Sequence, residues 1–212
     1  MARFLVVLDV DSTLIEEEVI ELLAEAAGSL DQVAAITTSA MNGEIDFEES
    51  LVARVATLAG LPERKIDEIA SRIRVTEGAR ELIAGVQSAG GRVAVVSGGF
   101  HQVIDPLAAG LGLDRWRANT LELADGALTG RLTGRIVDGA AKAEALREWA
   151  GIYGIPLHHT VAVGDGANDL AMMHITGLAV GFDAKAPVRD KANVIIDVRN
   201  LSQVLPLLGL RG

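Results

Sequence analysis

Hydrophobic residues run without a break from Phe4 to Leu8, and the run ends at two carboxylates, Asp9 and Asp11, followed by Ser12 and Thr13. A stretch that is apolar at consecutive rather than alternate positions predicts a strand buried on both faces, as in a parallel sheet. From Glu16 to Ala27 the period changes. Val19, Ile20, Leu22, Leu23 and Ala26 follow near-helical spacing, with Gly28 as the predicted C-cap. Helical spacing continues from Leu30 to Ile73, with turns at Asn42-Gly43 and at Gly60-Leu61-Pro62. That stretch is longer than a single strand–helix–strand crossover needs. It predicts a helical cap over residues 16–74, inserted after the first strand of a core formed by 1–15 and 75–212.

Beyond the cap, a helix is predicted from Glu77 to Ala89, stopped by Gly90-Gly91, and a strand from Arg92 to Val96 ending in Ser97-Gly98-Gly99. A helix over Ile104–Leu111 and a short strand over Trp116–Asn119 follow. Alternation from Leu121 to Gly130 around Asp125-Gly126 predicts a β-hairpin. A helix over Ala140–Ala150 then precedes a buried strand, Thr160–Val163, which runs into the acidic loop Gly164-Asp165-Gly166-Ala167-Asn168-Asp169 with a helix, Leu170–Ile175, behind it. Two short strands, Leu178–Gly181 and Val194–Ile196, and a closing helix, Ser202–Leu208, complete the pattern. The alternation predicts an α/β fold: a doubly wound parallel sheet of Rossmann-like type, with the helical cap and the hairpin added.

Composition narrows the possible chemistry. The 212 residues carry a formal net charge of -10, which argues against holding nucleic acid by neutralising phosphates. There is no cysteine, so thiolate metal sites, disulfides and thiol nucleophiles are excluded, and a reducing cytoplasm is the expected compartment. Asp9 and Asp11 interrupt the first apolar run before it reaches the length of a signal core or a membrane span.

In a doubly wound sheet the carboxyl ends of separate strands meet in one crevice. Asp9 and Asp11, Ser97 with Gly98 and Gly99, Lys142, and Asp165 with Asn168 and Asp169 would then converge. Carboxylates held close together call for a cation among them, and an all-oxygen set without Cys or His suits Mg²⁺ better than zinc. The Ser97 hydroxyl, the glycine amides and Lys142 supply donors and a positive charge for a phosphoryl group. Metal site beside anion site points to phosphate chemistry. Asp9 is the expected nucleophile, forming an aspartyl-phosphate. Asp11, on the same face if the strand continues, is the expected acid for the leaving oxygen and then the base for water.

These motifs resemble the haloacid dehalogenase superfamily of phosphohydrolases: Asp9-Val10-Asp11-Ser12-Thr13 as the first, Ser97-Gly98-Gly99 as the second, Lys142 as the third and Gly164 to Asp169 as the fourth. The resemblance extends through the cap to the phosphoserine phosphatase family, where Glu18, Met41, the Gly43 to Phe47 stretch and Arg54-Val55 fall in matching order. It implies Mg²⁺ on Asp9, on the backbone carbonyl of Asp11 and on Asp165, with Asp169, Asn168 and Thr13 in support. It also implies phosphoserine as a small-molecule substrate. Glu18 would face its ammonium, Arg54 its carboxylate, and Met41 and Phe47 would close over it; an anion and a planar cation are what a zwitterionic amino-acid head needs. Val75 and Ala186 stand where the family often differs. The resemblance further implies a cytoplasmic monomer or homodimer in serine biosynthesis, without serine feedback through an added amino-terminal domain.

Each motif also has a plainer reading. Acidic pairs after strands often cap turns, Ser-Gly-Gly is a common turn, and a lone Lys near a helix start is usually solvated, with Lys185 the rival to Lys142. Glu18 and Arg54 could be ordinary helical charges, and Met41 and Phe47 core residues. Joint occurrence in order favours chemistry. The alternatives are a phosphotransferase to homoserine, a phosphatase for another small phosphomonoester, and a non-catalytic phosphate- or metal-sensing module. This chemistry does not require His101, His158 or His159, and the sequence assigns them no role.

Overall fold

Leu5–Leu8 forms β1, the fully buried centre of a seven-stranded sheet ordered β4-β3-β2-β1-β5-β6-β7. The structure, a computed structural model, describes residues 3–210; positions 1, 2, 211 and 212, the ends of the expected core, lie outside the described residues. The other strands are β2 (Arg92–Phe100), β3 (Arg115–Ala124), β4 (Ala127–Thr133), β5 (Thr160–Gly164), β6 (Leu178–Phe182) and β7 (Val194–Ile196). All pairings are parallel except β3 with β4, the hairpin expected around Asp125-Gly126. Strand order reverses at β1. Such a switch point opens a crevice at the carboxyl ends of the strands that flank it.

Register makes the convergence of motifs concrete. Leu8 lies level with Val95 of β2 and with Val163 of β5, so Asp9, Ser97 and Asp165 emerge within a residue or so of one another at one end of the sheet. The pleat decides direction. Val6 and Leu8 pack with Leu82, Val86, Ile104 and Leu205 on one face, while Leu5 and Val7 pack with Ala94, Ala162, Leu146 and Trp149 on the other. Asp9 follows Leu5 and Val7 in the alternation, toward the face covered by the helix that carries Lys142. Alanines at Ala94, Ala162 and Ala179 keep that face thin.

Four helices lie between β1 and Val75: α1 (Val19–Ala27), α2 (Leu30–Met41), α3 (Phe47–Ala56) and α4 (Glu63–Ala70). Gly28, at a φ of 73°, ends α1 with its amide on Ala24 and Glu25, as its position after the periodic run implied. The chain enters and leaves this group through one short antiparallel contact, Ile15 with Val75, flanked by Glu16 N–H to Arg74 O at 3.0 Å and Thr76 N–H to Leu14 O at 2.9 Å. A second attachment lies at the far end. Gly60 N–H donates to Leu128 O at 2.8 Å, Leu128 N–H to Leu61 O at 2.9 Å and Glu63 N–H to Gly126 O at 2.9 Å, joining the α3–α4 turn to the outer edge of the hairpin.

The remaining helices are α5 (Ala79–Ser88), α6 (His101–Leu111), α7 (Gly139–Tyr153), α8 (Leu170–Met173), α9 (Ala186–Arg189) and α10 (Val204–Leu207). Three expectations need correction. The first strand does not persist through Asp11: Val10–Leu14 is a tight turn closed by Ile15 N–H to Val10 O at 3.0 Å, with Ser12 at a φ of 56°. Ser97, Gly98 and Gly99 lie within β2 rather than after it, so α6 starts at His101 instead of Ile104. Trp116–Asn119 and the first hairpin arm are one strand, with Asn119, the expected strand end, buried and satisfied within β3.

Candidate active site

The carboxyl end of β1 holds Asp9, which is nearly fully buried and accepts a hydrogen bond from Val10 N–H on Oδ1 at 2.8 Å. The Lys142 ammonium reaches the same oxygen at 2.7 Å and Asp169 Oδ1 at 2.8 Å. Lys142 itself is fully buried in the second turn of α7, a helix started by Asp138, whose carboxylate accepts from Ala141 N–H at 2.7 Å. Burial disfavours the Lys142 charge, but Asp169 and Asp9 outweigh it and hold its pKa above the usual lysine value. Burial, then Asp169, pushes the Asp9 pKa well above the ordinary carboxylate value against the pull of Lys142. Asp169 is raised as well, first by burial. One ammonium is too little charge for the acids gathered here.

The turn after Asp9 gives Asp11 a separate direction. Its Oδ1 accepts from Val19 N–H at 2.9 Å, at the start of α1, and its Oδ2 accepts from the Ser97 hydroxyl at 3.3 Å. Burial and then the Glu18 charge raise its pKa to about 7. Ser12, in the left-handed region, donates its hydroxyl to Glu18 at 2.8 Å, and the Arg199 guanidinium donates to the Ser12 carbonyl at 3.3 Å. Thr13 is buried beneath the turn, and its carbonyl accepts from the Thr76 hydroxyl at 2.7 Å.

Ser97 is buried within β2, and its Oγ accepts from Gly99 N–H at 2.8 Å. The glycines are needed for space. A Cβ on Gly99 would come within 2.9 Å of Asp11 Oδ2, and one on Gly98 within 3.1 Å of the Phe47 ring. On β5, a Cβ on Gly164 would fall 2.3 Å from Asp169 Oδ2, so only glycine lets the Asp169 carboxylate tuck beneath the loop. Asp165 is buried at the loop's head, and Asn168 packs its carbonyl against Gly139 at the start of α7.

One cleft is lined by Asp9, Asp11, Glu18, Phe47, Arg54 and Gly98, together with Asp165 and Asn168. Phe47, Leu51 and Arg54 share a face of α3 at helical spacing and all line it. A capping box fixes where α3 starts: Asp46 accepts from Glu49 N–H at 2.8 Å and Glu49 from Asp46 N–H at 3.2 Å. Burial lowers the Arg54 pKa, opposed chiefly by Glu18, and burial raises Glu18. Met41 is not brought in; it stands 79% exposed at the end of α2. His101 is held away from the cleft in a surface network with Asp105, at 2.6 Å, and the Ala118 amide, at 3.2 Å.

The sequence left Asn119 without a role and gave Lys185 the wrong one. Lys185 is not an alternative to Lys142 but a second lysine, lining the cleft with Nζ 2.9 Å from Asp165 and 4.0 Å from Glu18. Its only sequence signal was a place after β6, on the side of the sheet that β5 already marked. Asn119 is buried in β3, donating to Gly98 O and accepting from Val137 N–H, each at 2.8 Å. A polar residue in mid-strand was its signal.

The donor set fits a hard divalent cation. Carboxylate oxygens of Asp9, Asp165 and Asp169 lie within 4.8 Å of one another, all buried, with no nitrogen or sulfur ligand in the group. The Asp11 side chain is directed elsewhere. Among the described residues no helix is long and apolar enough to cross a membrane.

The profile of the haloacid dehalogenase-like hydrolase family matches residues 6–174. A phosphoserine phosphatase of Streptomyces coelicolor is 56% identical over 99% of this chain but only 51% of its own length. The chain thus spans about half of that relative. A phosphoserine phosphatase of Lactococcus lactis is 47% identical over 96% of this chain and 94% of its own. A solved structure of a phospho-aspartyl intermediate analogue of phosphoserine phosphatase superposes with a TM-score of 0.92 at 42% identity, covering 98% of this chain and 99% of that one. With a profile spanning both acidic loops of the cleft and relatives alike over nearly its whole extent, the chain belongs to the haloacid dehalogenase-like hydrolase family.

Proposed function

We propose that the protein is a Mg²⁺-dependent phosphoserine phosphatase, releasing L-serine and phosphate through an aspartyl-phosphate on Asp9 in the last step of a cytoplasmic serine synthesis. The observation that carries the substrate assignment is the sharing of one cleft by Glu18, Arg54, Asp9 and Gly98. An ammonium partner, a carboxylate partner and a phosphate site in one small space suit a phosphorylated amino acid, and a sugar phosphate would leave Glu18 and Arg54 unused. The relatives and solved structure of that activity support the same reading.

Val10 N–H and Lys142 both engage Asp9 Oδ1, which leaves Oδ2 to attack phosphorus in line with the serine oxygen. Ser97 and the Gly98 amide hold the phosphoryl oxygens. Asp11, with its pKa of about 7, donates its proton to the departing serine oxygen and then takes one from the water that cleaves the aspartyl-phosphate. Asp9, Asp165 and the Asp11 carbonyl would hold Mg²⁺, with Asp169 positioning Lys142 and Asn168 and Thr13 supporting the loops. The chemistry supplied by Mg²⁺ when bound is positive charge, which keeps Asp9 ionised and offsets its repulsion from the phosphate dianion. Residues 16–74 act as the cap over the core, with Phe47 covering the phosphate site and Met41, exposed at the end of α2, available to the substrate side of a closed cap.

Phosphate release from a panel of phosphoserine, phosphothreonine and a sugar phosphate, with and without Mg²⁺ and with homoserine as acceptor, tests the reading. Phosphoserine is expected to be preferred, with water the acceptor. Preference for the sugar phosphate, or transfer to homoserine, would replace it. Arg54→Ala is expected to lower kcat/KM for phosphoserine ~10–100-fold, the scale of a charged hydrogen bond, while changing hydrolysis of an aryl phosphate by less than about threefold. Equal losses on both substrates would remove the carboxylate role.

A further inference from the structure

Asn119 has no place in the chemistry described above, yet its side chain is buried and bonded at both ends. Its Nδ2 donates to Gly98 O at 2.8 Å, and its Oδ1 accepts from Val137 N–H at 2.8 Å. The Gly98 carbonyl and the Gly99 N–H belong to one planar peptide and point in opposite directions. Tying the carbonyl to Asn119 therefore turns the Gly99 N–H the other way, where it meets Ser97 Oγ at 2.8 Å. A hydroxyl that accepts from one side presents its single proton to another, here toward Asp11 Oδ2 at 3.3 Å and the cleft.

We propose that Asn119 is a positioning residue that, through the Gly98–Gly99 peptide, fixes Ser97 as a hydrogen-bond donor to the transferring phosphoryl group. The second end links the same side chain to Val137, just before α7 and Lys142. Asn119 lies 2% exposed on the strand next to β2, and glycine at 98 gives that peptide no side-chain packing to hold it. Without the tie the peptide can rotate, and the Ser97 proton can turn to another acceptor. The role rests on the phosphoryl-binding assignment of Ser97.

Asn119→Asp separates the two ends, since it keeps an acceptor for Val137 N–H and places an oxygen against Gly98 O. A misplaced contact of this kind costs ~10–100-fold in rate. Asn119→Asp is expected to lower kcat by that amount with less than about threefold change in KM. In a Ser97→Ala background the same change is expected to cost less than about twofold, because the group it positions is gone. Equal losses in the two backgrounds, or an unchanged kcat, overturn the proposal.

If thermal unfolding shows that Asn119→Asp does not fold, Asn119→Ala carries the test. Its loss is expected to shrink, though not vanish, in the Ser97→Ala background, and an undiminished loss overturns the proposal. Running both substrates, phosphoserine and an aryl phosphate, separates the two readings. Wild-type activity on the aryl phosphate alone strikes the substrate assignment and leaves the relay to be judged by the cycle, and inactivity on both overturns the two together.

Discussion

Asp11 sits in a site that disfavours its charge, first by burial and then through Glu18, and its pKa of about 7 lies well above the ordinary aspartate value. An unfolded chain releases this proton near the ordinary carboxylate value, while the folded, metal-free protein keeps it until near neutrality. The stabilising contribution is therefore present at acid pH and lost as pH rises through about 7. Asp11→Asn, which mimics the protonated form, is expected to unfold at a higher temperature than the parent at pH 8 in chelator and at about the same temperature at pH 4. A lower unfolding temperature at pH 8 would contradict the burial argument. Gly164 makes a steric case of its own: Gly164→Ala sets a methyl 2.3 Å from Asp169 Oδ2 and must push that carboxylate off Lys142. The expected cost is about 1–3 kcal/mol in denaturant unfolding, together with a large fall in kcat. Unchanged stability would show that the loop yields freely.

Among the elements, the group from α1 to α4 is anchored twice, by the Ile15–Val75 crossing and by the α3–α4 turn on the edge of β4. The turn between α2 and α3, Asn42 to Ile45, has no such tie to the sheet; its four residues project with mostly exposed side chains. Closure over substrate is therefore expected to move this turn and the start of α3, carrying Phe47, rather than to swing all four helices as one body. Hydrogen exchange should find the Gly60 and Leu128 amides protected like the sheet and the Gly43–Ile45 amides fast, slowing when phosphate analogue is bound. Fast exchange at Gly60 and Leu128 would favour a whole-body swing. The helices and the hairpin were legible in the sequence because 3.6-residue and two-residue periods leave different traces. The second anchor was not, since a main-chain bond between Gly60 and Leu128 depends on no side chain. The turn at Val10–Leu14 was equally hidden: nothing in its residues announces a tight turn, and the left-handed Ser12 has no glycine to signal it.

At the scale of the whole molecule, register explains why motifs far apart in sequence could be joined before any coordinates. Parallel strands that alternate with helices must end at one edge, and Leu8, Val95 and Val163 do lie level there. Supporting side chains outside the motifs are not legible in this way. Asn119 and Lys185 carry no motif, and their roles emerge only from what they touch. Charge balance remains a property of the assembled site. Asp9, Asp165 and Asp169 meet in a chain of net charge -10, so cation binding should stabilise the fold. Mg²⁺ at a hundred times its Kd is expected to raise Tm by roughly 5–10 °C, an effect absent from Asp165→Asn. No shift in the parent protein would deny the metal site. In the proposed function, transfer of the phosphoryl group from phosphoserine to Asp9 is the event on which every other role depends. Rapid acid quench during turnover with Mg²⁺, followed by borohydride reduction and peptide mass spectrometry, reads it directly. Conversion of Asp9 to homoserine only when phosphoserine is present is the expected result; steady phosphate release with Asp9 unmodified, or with the mark on another residue, would contradict it.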